Sequence, residues 1–169
     1  MNDLKEAVRD IENTFDALHY PVEFLEKYDQ LECLAASHGT ETFLVKQKNS
    51  ENFFVAKCYD KAYYAVIHES SILQSLHHNG LPAFADEFQN DATICIVREY
   101  IEGKPLDQYI MENKLANQNI IDIGVQLCDL LIYLHWQESP VIHRDIKPQN
   151  VIVKADGRIV LIDFDISRV

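Results

Sequence analysis

One run of eight residues, His143-Arg144-Asp145-Ile146-Lys147-Pro148-Gln149-Asn150, gathers a carboxylate, an ammonium and an amide, and Asp163-Phe164-Asp165 follows it. Phosphoryl transfer needs such a set: a carboxylate at the attacking hydroxyl, a cation on the transferring phosphate, and oxygen ligands for Mg²⁺. The same polar groups could decorate a turn between strands. Five residue types standing in the order this chemistry uses favour the chemical reading.

Strands must hold those loops. Residues 141–142, 151–153 and 159–162 are short apolar runs, the last two flanking Asp156-Gly157, a hairpin dipeptide. Between residues 28 and 59, β-type runs over 31–35, 42–48 and 52–59 alternate with polar turns containing Gly39 and Asn49-Ser50, which predicts an antiparallel meander. Residues 61–77 carry helical periodicity through Ala65, Ile72, Leu73 and Leu76, and Asn79-Gly80-Leu81-Pro82 stops it. Two more strands are expected over 83–88 and 93–100, across a Gln89-Asn90-Asp91 turn.

After Glu102-Gly103-Lys104-Pro105 the composition turns helical, with a short helix over 106–112 and a long one over 118–135. The long helix is apolar around most of its circumference, through Ile120, Ile121, Ile123, Val125, Leu127, Leu130, Leu131, Ile132 and Leu134, so it is expected inside a core. At the front, residues 3–18 put Leu4, Ala7, Val8, Ile11, Phe15 and Leu18 on one helical face, with Asp3 and Glu6 in capping-box spacing. The acidic polar face of that helix favours packing over membrane binding. The expected fold class is α+β: a mostly β lobe over 1–97, a hinge over 98–104 and a mostly α lobe over 105–169.

In its loop motif and in Asp163-Phe164, the chain resembles the eukaryotic-type (Hanks-type) Ser/Thr protein kinase superfamily over about residues 28–169. The resemblance implies a kinase-like fold, a β-rich N-lobe with the first part of an α-rich C-lobe, and ATP-dependent, Mg²⁺-dependent transfer to protein hydroxyls. By it, Asp145 accepts or orients the substrate proton, Lys147 contacts the γ-phosphate, and Asn150 with Asp163 holds Mg²⁺. Lys147, two places after Asp145, points to Ser/Thr rather than Tyr substrates.

Phe54-Val55-Ala56-Lys57 is similar to the family's Val-Ala-Ile-Lys, which makes Lys57 the candidate for the α- and β-phosphates. Glu69 begins Glu-Ser-Ser-Ile-Leu and matches the helical partner of that lysine, so the resemblance implies an ion pair between the two. The stretch from Ile96 to Gly103 resembles the hinge strand, with the backbone of Glu99 and Ile101 toward adenine. Arg98 falls at the gatekeeper position, where it could face solvent, pair with an acid or narrow the pocket.

Two departures stand out. Ala35, Ser37 and Thr40 occupy the three positions of the Gly-rich loop, with Gly39 displaced, and close backbone approach to phosphates depends on absent side chains. Asp165 replaces the Gly of Asp-Phe-Gly. Asp-Phe-Asp also resembles small-molecule kinases such as the aminoglycoside phosphotransferases, although those usually lack counterparts of Arg144 and Lys147. The alternatives to a protein kinase are therefore a non-catalytic nucleotide-binding or scaffold module and a small-molecule phosphotransferase.

The 169 residues are 47% hydrophobic and 25% charged, a globular composition without low-complexity tracts. A net charge of −12 argues against a nucleic-acid or anionic-membrane surface. Any phosphate site must be local. Cys33, Cys58, Cys95 and Cys128 are dispersed and are expected to be reduced and mostly buried. Neither a signal peptide nor an apolar run of about 18 residues is evident, so the expected compartment is the cytosol. The sequence stops six residues past Asp163, without an activation segment, Ala-Pro-Glu or later helices. A fragment of a longer kinase, or a truncated product that needs a partner, is the expectation, with self-association through uncovered faces of the long helix.

Overall fold

The computed structural model describes residues 18–64 and 66–168, so the leading helix expected over 3–18 lies, apart from Leu18, outside the described residues. The elements in order are α1 (Val22–Lys27), β1 (Tyr28–Ser37), β2 (Thr40–Gln47), β3 (Phe53–Asp60), α2 (Glu69–Ser75), β4 (Phe84–Gln89), β5 (Thr93–Glu99), β6 (Lys104–Pro105), α3 (Leu106–Glu112), α4 (Asn117–His135), β7 (Val151–Val153) and β8 (Ile159–Leu161). They fall into two units, Met1–Ala65 with Glu87–Cys95, and Val66–Asp86 with Ile96–Val169. Among the described residues no helix is long and apolar enough to cross a membrane.

In the first unit β1, β2 and β3 form the expected antiparallel meander, in a sheet of order β1-β2-β3-β5-β4. β1 is longer than its apolar run because backbone pairing continues to Ser37↔Thr40, through two register shifts, between Gln30 and Glu32 and between Cys33 and Ala35. Such bulges bend a strand that pairs on one side only. α1 is anchored by Phe24, fully buried, whose ring lies 6.1 Å from Tyr20, 5.9 Å from Tyr28 and 5.9 Å from Phe88. Tyr20 also meets Phe43 edge-on and bonds Glu41. Phe43 and Glu41 are out of phase with Lys57 in the pleat, so α1 covers the sheet face opposite Lys57.

The helix expected over 61–77 is mostly not a helix; among the described residues of that range only Glu69–Ser75 adopts that conformation. Asp60 captures the segment instead. Its carboxylate takes the Ala62 N–H at 2.8 Å, and its carbonyl takes those of Tyr63 and Tyr64 at 3.1 and 3.0 Å, closing a local turn. The tyrosine rings then pack on the sheet rather than along a helix, Tyr64 lying 5.4 Å from Tyr59.

The second unit has its core where α2, α4 and the β7–β8 hairpin meet: Ile72, Leu73, Leu130, Leu134, Val151, Ile159, Leu161 and Phe164 are all buried. β6, β7 and β8 make a three-stranded antiparallel sheet. The Asp156-Gly157 hairpin forms, but its loop is a three-residue one, with Lys154 N–H on the Arg158 carbonyl (2.9 Å) and Gly157 N–H on that of Lys154 (3.0 Å). Gly157, at φ +81°, supplies the left-handed residue that such loops need. Gln126 of α4 grips both sides of it, donating to the Gly157 carbonyl (3.1 Å) and accepting from Ile159 N–H (3.1 Å).

The α3 bounds match expectation, and α4 starts one residue early. α4 enters the core along one face, and the uncovered faces expected of it are present. Leu130 and Leu134 are buried and Ile123, Leu127 and Leu131 pack against them, while Ile120, Ile121, Val125 and Ile132 are each more than half exposed, because the described residues supply packing partners along one face only. Residues 141–142 yield an isolated bridge, Ile142 with Arg168, in place of a strand. All four cysteines are free thiols, but Cys33 and Cys128 are exposed, so burial holds for Cys58 and Cys95 alone.

Candidate active site

The loop from His143 to Asn150 hangs between the end of α4 and β7. Its left-handed kink at Arg144 (φ 69°) costs an L-residue roughly 1–2 kcal/mol. Buried hydrogen bonds offset that. His143 is 1% exposed; its Nδ1 accepts the Asp145 N–H (3.3 Å), its Nε2 faces the Ile162 carbonyl (3.1 Å), and its carbonyl takes the Ser167 hydroxyl (3.0 Å). With Nδ1 accepting, the proton belongs on Nε2 and the ring is a neutral imidazole. Phe164, fully buried, packs edge-on at 4.6 Å. His143 thus ties the Asp145 loop to the Asp163 segment.

Burial holds the His143 pKa below its ordinary 6.5, against opposing pulls from the Ile162 carbonyl and from Asp163 and Asp145. The unfolded chain then takes up a proton at higher pH than the native one, so stability is intact above 6.5 and falls as pH drops from 6.5 toward the lowered native value. Urea unfolding at pH 7.0 and 5.5 is expected to show a loss of up to about 1.4 kcal/mol per pH unit from this ring. The His143→Gln variant should lack that component; an equal slope in both proteins would assign the dependence elsewhere.

Asp145 is fixed from two sides. Lys147 Nζ lies 2.6 Å from Oδ2, and the Asn150 amide nitrogen donates to Oδ2 and to the Asp145 carbonyl, both at 2.9 Å. The Lys147 ammonium first and the Asn150 amide second hold the carboxyl below the usual carboxylate range, so it is ionised and able to accept a proton at neutral pH. Asn150, 5% exposed, is held by its N–H on the Lys147 carbonyl (2.9 Å), and its own carbonyl takes the Ile162 N–H (2.9 Å). Because its amide hydrogens serve Asp145, Oδ1 is the atom left to ligate a cation. Asp163, at φ 70°, follows Ile162 directly. An amide oxygen and a carboxylate are hard donors suited to Mg²⁺, which takes few protein ligands and completes its shell with water and phosphate.

In the first unit, the register sets Ala35, Thr42 and Lys57 in one row across three strands, and Ser37, Thr40 and Tyr59 in the next row on the same face. The expected phosphate-loop residues and Lys57 therefore share one end of one sheet face. Lys57 is half-buried, with its ammonium 5.7 Å from the Tyr59 ring. Ala35 and Ser37 are exposed, and Thr40 is buried with its hydroxyl bonded to that of Ser37. Glu69 opens α2 in the second unit and is 1% exposed.

Glu99 ends β5, exchanging its N–H with the Ala83 carbonyl (2.8 Å) and accepting the Ala83 N–H on its carboxylate (3.1 Å). Ile101 is buried against Ile152 and Val160. Of the three outcomes for Arg98, pairing with an acid does not occur among the described residues: it is half-buried, and its Nε is buried without a hydrogen-bond partner. The roles of His143, Phe164 and Ser167 escape motif reading. Position within the motif marks His143, but only the fold reveals that Ser167 closes the loop.

A protein kinase domain model matches residues 30–169. The chain belongs to the protein kinase family. Serine/threonine-protein kinase cds1 of Schizosaccharomyces pombe is 37% identical over 102 residues, covering 60% of this chain and 22% of that protein. Serine/threonine-protein kinase Nek1 of Mus musculus is 30% identical over 154 residues, 86% of this chain and 13% of the relative. Serine/threonine-protein kinase 36 of Pongo abelii is 29% identical over 150 residues, 85% and 11% respectively. This kinase chain thus spans between about a tenth and a quarter of the length of these relatives. The Ser/Thr kinase resemblance and the α+β kinase-like fold expected from the sequence both hold.

Proposed function

We propose that this chain carries the ATP-binding and catalytic part of a Ser/Thr protein kinase, with Asp145 orienting the substrate hydroxyl and Lys147 on the γ-phosphate. One observation carries the reading: Asp145 is an ionised carboxylate held simultaneously by Lys147 and Asn150, the geometry a positioned base requires. Asn150 Oδ1 and Asp163 would hold Mg²⁺, which when bound neutralises charge developing on the phosphates. Lys57, paired with Glu69, would take the α- and β-phosphates, with the hairpin tip at Ala35, Ser37 and Thr40 above them and the backbone of Glu99 and Ile101 on adenine. The free thiols suit a reducing compartment such as the cytosol.

The test is transfer of label from γ-labelled ATP to a generic protein substrate, followed by identification of the labelled amino acid. Label on Ser or Thr, dependent on Mg²⁺ and lost in Asp145→Asn, is the expected result. The side chains at Ala35, Ser37 and Thr40 favour one competing reading, a nucleotide-binding module without turnover. Nucleotide binding with no transfer above the Asp145→Asn background would establish that reading instead.

A further inference from the structure

The tip joining β1 and β2 is the two-residue turn His38-Gly39, closed by the Ser37↔Thr40 pair. Gly39 sits at φ +76°, a conformation natural to glycine. Tyr63 lies directly on it: a Cβ built at Gly39 would come within 2.8 Å of Tyr63 Cδ2 and 3.1 Å of Tyr63 Cγ. The Tyr63 ring also meets the His38 imidazole edge-on at 4.2 Å. The backbone beneath is tied as well, by the Asp60 N–H on the Gly39 carbonyl (2.8 Å) and the Tyr64 hydroxyl on the His38 carbonyl (3.4 Å). The same Asp60 turn that prevents a helix over residues 61–64 aims Tyr63 at the tip.

We infer that Tyr63 is a positioning residue for nucleotide phosphates, acting through the β1–β2 tip: its ring holds the tip in one shape where Ala35, Ser37 and Thr40 supply no glycine flexibility. This rests on the proposed kinase reading. A tip made of glycines reaches phosphate by adapting its backbone. This one carries side chains, and it has the Ser37 and Thr40 hydroxyls bonded to each other across the turn. Its placement must be built in beforehand, and an exposed aromatic ring packed on a glycine and edge-on to a histidine does that. Tyr63 is 58% exposed, so its retention at the tip is not a requirement of the hydrophobic core. The ring rather than the hydroxyl provides the contact, because of the three close approaches two, including the shortest, are to ring carbons and the third is to Cβ.

Two measurements on the whole chain test this. Amide exchange of the nucleotide-free protein at His38, Gly39 and Thr40 is expected to quicken in Tyr63→Ala, with β2–β3 amides unchanged, and to return to wild-type rates in Tyr63→Phe. Calorimetry with Mg²⁺ and a non-hydrolysable ATP analogue is expected to show a Kd raised about five-fold in Tyr63→Ala and restored in Tyr63→Phe, since affinity scales with the fraction of tips correctly placed. Unchanged tip exchange in Tyr63→Ala would overturn the clamp. A loosened tip with wild-type Kd would overturn its role toward phosphate while leaving the kinase reading intact. A wild-type protein that binds no nucleotide would bring down that reading and this inference together, whatever the exchange data show.

Discussion

Asp163→Asn is expected to remove most Mg²⁺-dependent nucleotide affinity, whereas Ser37→Ala should cost little. The asymmetry follows from what each atom does. As the proposed ligand, Asp163 would bring a full negative charge to a hard dication, and even partners one shell removed from a metal cost about 10–100-fold in affinity when lost, so a direct ligand should cost at least that much. Asn at 163 keeps size and one oxygen but no charge, and Asn tolerates φ 70° as Asp does, so the backbone has no reason to rearrange. Ser37 is exposed, and its hydroxyl already has Thr40 as a partner. Its removal forfeits one neutral hydrogen bond, about 0.5–1.5 kcal/mol at most. Titration with an ATP analogue, with and without Mg²⁺, separates the two. Equal losses in the variants would show that the tip, not the metal, dominates binding, and a loss in Asp163→Asn that persists without Mg²⁺ would deny Asp163 its ligand role.

The side-chain cluster of the second unit was legible because its motif is local: Asp145, Lys147 and Asn150 lie within six residues, and their mutual bonds span at most five positions. Most strands were legible because alternation and turn residues are also local, the exception being residues 141–142, where only a bridge to Arg168 forms. Failure came where a partner far along the chain decides the outcome. Residues 61–64 carry acceptable helical spacing, but the Asp60 side chain and the aromatic faces of Tyr59 and His38 compete for them and prevail. Nothing in the composition of α4 reveals which of its apolar residues find neighbours; apolar content placed the helix in a core with uncovered faces without saying which faces those are. The clamp at Gly39 joins residues twenty-four positions apart, Gly39 and Tyr63, and no pattern in either segment points to the other.

That uncovered side of α4 leads to an expectation about the isolated 169-residue chain. Ile121, Val125, Cys128 and Ile132 recur at spacings of four, three and four, so they line one stripe opposite the buried Leu130 and Leu134 and the partly buried Leu127. Ile121, Val125 and Ile132 are 55%, 54% and 52% exposed, Cys128 is exposed, and Trp136, just past the helix end, is 84% exposed. Fully burying one large aliphatic side chain yields about 1.5–3 kcal/mol, so covering the exposed half of each and the indole face yields several kcal/mol in all. A domain of this size has a net stability of only about 5–15 kcal/mol, so a surface of that worth should not stay wet at high concentration. The isolated chain is expected to self-associate through this stripe or to bind a hydrophobic dye. Light scattering across a concentration series, with dye fluorescence in parallel, reads this directly. Val125→Lys with Ile132→Lys, both on the exposed face, should shift the equilibrium to monomer without lowering the unfolding midpoint. If the wild-type chain is a dye-silent monomer at every concentration, the stripe is compatible with water and the area argument fails; if the double variant still associates, the contact lies elsewhere on the molecule.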